Sequence, residues 1–349
     1  MDLFSENTES DTDWPVIPVQ FHSPTYDFEW FAACADAFYD YSVRCPITID
    51  HDNQLSAVAP LFKLKKKGLT WQEIMGVSRL HEPGGLVYSD GRSLDALCQS
   101  IVKRGRPTLL GRLHSEDPVI ETFEKTAHKR GILLKVRNTG SPYIEISSGW
   151  DDYFQLLSSR RRQDYRRARR RLSDHGEVSV TFSLPNQGNV DQLLEEVFRV
   201  EQASWKGRNN TAINCRPEMK QFFKTYARSV CTNQQIVISS LQLNGESIAV
   251  QLLVEHAKRW WILKIGYDDE WKKYSPGMQL MFDTLKEAFD RKLDAIELLG
   301  TEEQWISIWP HKTHEFFSLV YFPFTFSGIT ALIMEGGEKV LSKLQRKLA

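Results

Sequence analysis

Asn244-Gly245 stands between two runs of alternating apolar and polar residues, and that dipeptide is the preferred occupant of the tight turn joining two antiparallel strands. Strands are therefore expected over Gln235 to Leu243 and Ser247 to His256, with a third over Arg259 to Tyr267. Next come Ser275-Pro276-Gly277, a helical stripe at Met278, Met281, Phe282, Leu285, Ala288 and Phe289, and the apolar strand Asp294 to Leu299. Three strands in a meander, a helix and a returning strand can close only as a mixed sheet with helices on its faces.

The start of that helix carries the first chemical signal. Ser275 is a favoured N-cap type, Pro276 fits the first helical position because its missing N–H would be unbonded anyway, and Gly277 lets a ligand approach the backbone. The amides from Gly277 through Met278 to Gln279 are then free for an anion, with Lys272 and Lys273 either adding charge or simply solvated. Any well-started helix can carry such a triplet, so its surroundings decide. It follows a third meander strand, and the earlier half of the chain, which repeats the plan weakly, lacks it.

In that half, Asn53 to Leu61 parallels Asn244 to Leu252, and a helix near Leu94 to Val102, the strand Thr108 to Leu113 and a helix from Pro118 to Arg130 follow. At 349 residues two domains are the default. The expected division is an acidic tail at 1–14, an N-terminal domain at 15–145 that has lost its cofactor seat, and a C-terminal domain at 146–349 ending in the strand Phe316 to Tyr321 and an amphipathic helix. The tail lacks a secretory or transit pattern, and five scattered cysteines without a C-x-x-C pair speak for a reducing cytoplasm. A net charge of -1 gives no overall pull toward nucleic acid, and the apolar run Phe316 to Met334 is broken by Pro323 and Gly328, leaving membrane association at most peripheral.

The segments SSRRRQDYRRARRRL, FRVEQASWKGR, GESIAVQLLVEHAKRWWILKIGYDDEWKKYSPGMQLMFDTLKEAF and LDAIELLGTEEQW resemble the GNAT acyltransferases. More closely, the whole chain is similar to the CelD-like acetyltransferases associated with bacterial cellulose and exopolysaccharide synthesis, whose twin-GNAT architecture is shared with the FemAB-like aminoacyltransferases. The resemblance implies an α/β fold of two tandem GNAT-like domains, each a mixed, mostly antiparallel sheet flanked by helices. It also implies acetyl-CoA or another acyl-CoA as donor, an amine of a sugar-related or other small acceptor, and no metal. One departure stands out: Trp305-Ile306 replaces the family's Tyr-Lys pair.

In that fold the third meander strand and the strand after the helix splay apart to hold the thioester. Ile265 and Gly266 would line the gap, Gly266 supplying a bulge or a close approach, or simply ending the strand. Lys273, Ser275, Gly277, Met278 and Gln279 would meet the pyrophosphate. Glu303, by position in the loop at the mouth, or Glu297, in a strand that otherwise reads as buried, would assist deprotonation; Glu297 faces either the acceptor or a paired cation. Tyr267 would stand beside the leaving thiol. Trp205, Lys206, Glu302 and Trp305 would contact the acceptor, with Trp205 alternatively a core residue. His311 and His314 have a spacing that could hold a metal on a helix, but no third ligand is evident and Pro310 disfavours the helix.

Eight arginines fall between Arg160 and Arg171, yet Phe154, Leu157, Tyr165, Ala168 and Leu172 share one helical face. This is an amphipathic helix whose basic exterior either pairs with acidic neighbours or binds phosphates. Two other readings keep that helix in play: a FemAB-like transferase drawing on aminoacyl-tRNA, and a non-catalytic phosphate or nucleic-acid binder.

Overall fold

The structure, a computed structural model, describes residues 14–15, 23–52, 54–147, 149–233, 235–300 and 305–336. They form two compact units. One holds the described residues up to Asn138 together with those from Glu315 on, and the other is Thr139–His314.

The first unit begins with α1 (Phe28–Phe38) and two antiparallel pairs, β1 (Ile47–His51) with β2 (Gln54–Ala59) and β3 (Leu61–Lys66) with β4 (Leu69–Ile74). Pro60 alone separates β2 from β3. A proline cannot donate to a ladder, and the strand breaks there, sending its halves to different sheets. The one-turn helix α2 (Val77–Leu80), β5 (Val87–Tyr88), α3 (Gly91–Lys103), β6 (Thr108–His114), α4 (Pro118–Ala127) and β7 (Gly131–Arg137) follow. Helix α3 buries Leu94, Leu97, Cys98 and Ile101, the i, i+3, i+4, i+7 pattern of a helix laid on a sheet, and leads into β6, which runs parallel to β4.

The second unit contains β8 (Ser141–Glu145), α5 (Trp150–Leu156), α6 (Ser159–Ser173), β9 (Val178–Ser183), α7 (Val190–Gln202), α8 (Trp205–Arg208) and α9 (Pro217–Val230). It continues with β10 (Ile236–Leu243), β11 (Glu246–His256), β12 (Arg259–Tyr267), α10 (Pro276–Asp290), β13 (Ala295–Glu297) and β14 (Lys312–His314). The sheet runs β14-β8-β13-β12-β11-β10-β9, with β12 and β13 parallel and the other pairs antiparallel. Asn244 and Gly245 both take left-handed φ, 52° and 83°, as the expected hairpin turn demands. The α10 stripe, Met281, Phe282, Leu285, Ala288 and Phe289, shares a core with Leu253, Trp260 and Ile296.

The last strand, β15 (Phe316–Pro323), and helix α11 (326–336) overturn the expected domain boundary. The sequence assigns both to the C-terminal domain 146–349. The structure places β15 between β6 and β7, in the first unit's sheet β3-β4-β6-β15-β7. The place beside β13 in the second unit is already taken by β8, an antiparallel strand from before the expected join at 145/146. Boundaries therefore fall at 138/139 and 314/315. Both units are mixed α/β with mostly antiparallel pairing flanked by helices, but the first carries two sheets where one was expected.

Candidate active site

The chain enters α10 from a 3₁₀ turn, Asp269–Tyr274, through a left-handed residue. Ser275 has φ 52° and ψ 52°, and its side chain caps nothing. The expected N-cap bond is absent because Ser275 reverses the chain instead. Gln279 N–H donates to the Ser275 carbonyl at 3.1 Å, and its buried side chain bridges the Tyr274 carbonyl (2.8 Å) and Arg169 (3.3 Å). Gln279 is thus a brace rather than an anion contact, a correction to the sequence reading. Among the described residues nothing accepts the Gly277 and Met278 amides. Cations gather at the turn before them: Lys272 and Lys273 are exposed, and the Lys273 ammonium and Arg171 guanidinium stand 4.9 and 5.4 Å from the centre of the Tyr274 ring.

Helix α6 is fixed beside α10. Tyr165 lies on Phe282 at 4.1 Å between ring centres, and Arg169 pairs with Asp283 at 3.1 Å. Burial pushes the Asp283 carboxyl up, with Arg169 opposing it. This packing sets the last turn of α6 by the start of α10. Pairing with acidic neighbours, one of the two fates expected for the basic face, holds for Arg169 and, at 3.9 Å in the open, for Arg160 with Asp164. Arg161, Arg167 and Arg170 are exposed with no acidic partner among the described residues.

Strand β13 pairs with β12 only from Arg259 to Trp261; from Ile262 on, β12 pairs with β11 alone. A bulge places Leu263 as an extra residue opposite Leu252 and Leu253. Of the roles open to Gly266 in the sequence, a bulge is ruled out, since it pairs regularly with Val250, and a close approach holds. Its missing side chain serves α7: a Cβ there would fall 2.7 Å from Glu201 Cα. The Ile265 carbonyl, expected to bind the donor arm, accepts Lys206 Nζ at 2.9 Å. Lys206 also donates to Glu201 at 3.2 Å, and the buried Glu201 accepts the Ile213 amide at 2.9 Å. That leaves one of three ammonium hydrogens for something else. Trp205, at the start of α8, is 47% exposed and so is no core residue.

Tyr267 closes β12 with its ring against Gly277, where an added Cβ would meet it at 3.2 Å. This sets the Tyr267 ring beside the start of α10. Glu297 is 1% exposed and bonded to Arg259 Nη1 (2.5 Å) and His314 Nε2 (3.2 Å), while His314 stacks on Tyr143 at 4.0 Å. Of the two orientations expected, the carboxylate takes the one that faces a paired cation. Trp305 is half-buried against the α10 core, and Glu302 and Glu303 lie outside the described residues.

The lock formed by Glu201, Lys206 and the Ile265 carbonyl was not anticipated. Its signal was a glutamate on the apolar stripe of α7, one turn beyond Val197 and Phe198.

Residues 159–307 match the family model described as Acetyltransferase (GNAT) domain. No curated protein matches the chain. Among solved structures it is similar to FemX, at 13% identity over 85% of this chain and 96% of that one with a TM-score of 0.53. It is also similar to L-PGS from Bacillus licheniformis (10%, covering 88% and 94%, TM-score 0.50). A conserved protein of unknown function from Bacteroides thetaiotaomicron gives 13%, 84% and 90%, and a TM-score of 0.52. At these identities the likeness is one of fold.

Proposed function

We propose that the GNAT domain at residues 159–307 transfers an acyl group from acetyl-CoA or another acyl-CoA to an amine of a sugar-related or other small acceptor, as the CelD-like resemblance implies. The observation carrying this reading is the start of α10, where two unclaimed amides meet Lys272, Lys273 and Arg171 beside a strand whose far edge has lost its neighbour. Helix-start amides and fixed cations stabilise a pyrophosphate, and the open side of β12 offers main-chain groups to the amide-bearing pantetheine arm. The acceptor amine attacks the thioester carbonyl and loses its proton to Glu303, and the tetrahedral intermediate expels the thiolate, which takes up a proton. Trp205 and Lys206 form the acceptor wall in this reading, and Tyr267 flanks the phosphates. Calorimetry of the intact folded chain with acetyl-CoA tests the donor; absence of heat in a sample that unfolds cooperatively would sink it.

A second reading has one observation in its favour. Arg161, Arg167 and Arg170, exposed and without an acidic partner among the described residues, suit a donor borne on RNA, as in the FemAB-like resemblance. Salt-sensitive RNA binding lost in Arg167→Gln/Arg170→Gln, with no acetyl-CoA heat, would favour it.

A further inference from the structure

An antiparallel ladder alternates between residue pairs that exchange both backbone hydrogen bonds and pairs that exchange none. Along β11 and β12 the phase is set by the Asp268 amide, which donates to the Ile248 carbonyl at 2.9 Å. Counting on by twos, Val250 with Gly266 and Leu252 with Lys264 are bonded pairs, and Gln251 with Ile265 is an unbonded one. The Ile265 amide and carbonyl therefore point away from β11, to the side of β12 that β13 covers only as far as Trp261. A carbonyl on that edge would ordinarily take its donor from the next strand. Here it takes the Lys206 ammonium at 2.9 Å.

Lys206 is held there from several directions. Ser204 caps α8, its hydroxyl accepting the Lys206 amide at 3.1 Å, and the Thr211 and Ala212 amides donate to the Lys206 carbonyl at 2.9 and 3.2 Å. Glu201 on α7 accepts a second ammonium hydrogen at 3.2 Å. The Glu201 side chain is 3% exposed and that of Lys206 23%, so the pair is sealed on the carboxylate side and open on the lysine side. With two of three tetrahedral N–H bonds committed, the third has a set direction, away from both oxygens. The neighbouring Trp205 stands exposed. One side chain thus joins the strand offered to the donor arm to the element offered to the acceptor, and the donor group that must lie where the two substrates meet is the carbonyl under attack.

We propose that Lys206 is a catalytic residue whose third ammonium hydrogen donates to the acyl carbonyl oxygen of the thioester. This rests on the acyl-CoA reading given above. As the amine nitrogen bonds to the carbonyl carbon, the C=O electron pair moves onto oxygen, and the N–H bond aimed at that oxygen strengthens with its charge. When the pair returns, the C–S bond breaks and sulfur leaves with its electrons as the thiolate. Lys206 keeps its proton throughout. Because Glu201 and the Ile265 carbonyl already hold the ammonium, nothing has to reorganise as the charge develops.

The test needs no acceptor. The full chain is titrated by calorimetry with CoA, with acetyl-CoA and with S-ethyl-CoA, the thioether without the carbonyl oxygen, and infrared difference spectra are recorded with acetyl-CoA labelled with carbon-13 at the carbonyl. Acetyl-CoA should bind about tenfold or more tightly than S-ethyl-CoA, the worth of a hydrogen bond from a charged donor, and its carbonyl band should move to lower frequency on binding. Lys206→Met should abolish both the preference and the band shift while leaving the affinity for CoA unchanged. The double variant Lys206→Met/Glu201→Gln, which leaves no lone buried charge, should do the same, with circular dichroism confirming the fold. Failure of the native chain to bind any of the three would sink the acyl-CoA reading itself. Binding of all three with no preference and no band shift would overturn the role of Lys206 alone, whether or not the variants fold. So would a band shift that survives in the variants, or a loss of CoA itself from folded variants, which would make the lysine a structural lock.

Discussion

Helices α3 and α10 occupy the same place in the element order of their units, each leading from one parallel strand to the other, yet they begin in opposite ways. Asp90 caps α3, its carboxylate accepting the Ser93 amide at 2.8 Å, a bond that holds it below the usual carboxylate range. Ser275 caps nothing and leaves two amides bare. The strand gaps differ as well. In the first unit Gly84 N–H bonds the Arg112 carbonyl, a Cβ on Gly84 would lie 2.5 Å from the Gly111 carbonyl oxygen, and one on Gly111 would lie 2.9 Å from Val77. Helix α2 and the loop after it therefore pack closely on β6 at Gly111 and Arg112, beyond the two residues where β6 pairs with β4. The middle meander strand is broken at Pro60, whereas Gln251, its counterpart in the sequence repeat, stays paired with Ile265. An ionised side chain at a helix start repels the anion that the same bare start would attract, so a single plan yields one sealed copy and one open one.

The largest expected effect comes from placing a carboxylate at both starts. Gly277→Glu should weaken acetyl-CoA binding by about 100-fold or more in calorimetry, through charge and by displacing Tyr267. Gly91→Glu, where a side chain meets open space, should change nothing. Equal losses would erase the contrast. A smaller effect concerns the plug of the sealed gap, where the Tyr26 hydroxyl lies 3.0 Å from the Gly84 carbonyl and 3.2 Å from Asp117. Burial pushes the Asp117 carboxyl up to about 6 from an ordinary 3.8. Between those values the folded chain keeps a proton that the unfolded chain has released, so stability should fall as pH rises through this window, by at most about 3 kcal/mol. Urea unfolding at both ends of the window should show that slope, and Asp117→Asn should flatten it. Next, Asp90→Ala should lower the melting temperature measurably and Ser275→Ala should barely move it, since only the first removes a cap. Smallest of all, Ser275→Gly should stabilise by about 0.5 kcal/mol, because glycine adopts the left-handed conformation without the strain a side chain adds.

Local chemistry was readable and long-range pairing was not. Asn244-Gly245 dictates its own turn, and the stripe of α10 states which face is buried whatever it packs on. Phe316 to Pro323 is apolar enough to announce a buried strand, but no residue in it says which neighbours it has, and its true partners, β6 and β7, lie far back in the chain. The donor seat was legible as a place and misread in detail. Serine before proline predicts a cap, and only the 3₁₀ turn ahead of it explains why Ser275 turns left-handed. Glu297 could be narrowed to two orientations, and choosing between them needed Arg259 on a neighbouring strand and His314 on β14, neither of which is marked in the sequence.

The place of β15 between β6 and β7 has a consequence for the order in which the protein matures. A ribosome delivers Thr139–His314 whole before the strand that completes the first unit has been translated. Until then β6 and β7 present unmatched edges of the kind that recruit other chains. The unit whose residues emerge first is therefore the last to become a folded body, and its nascent form is where a chaperone would have most to protect.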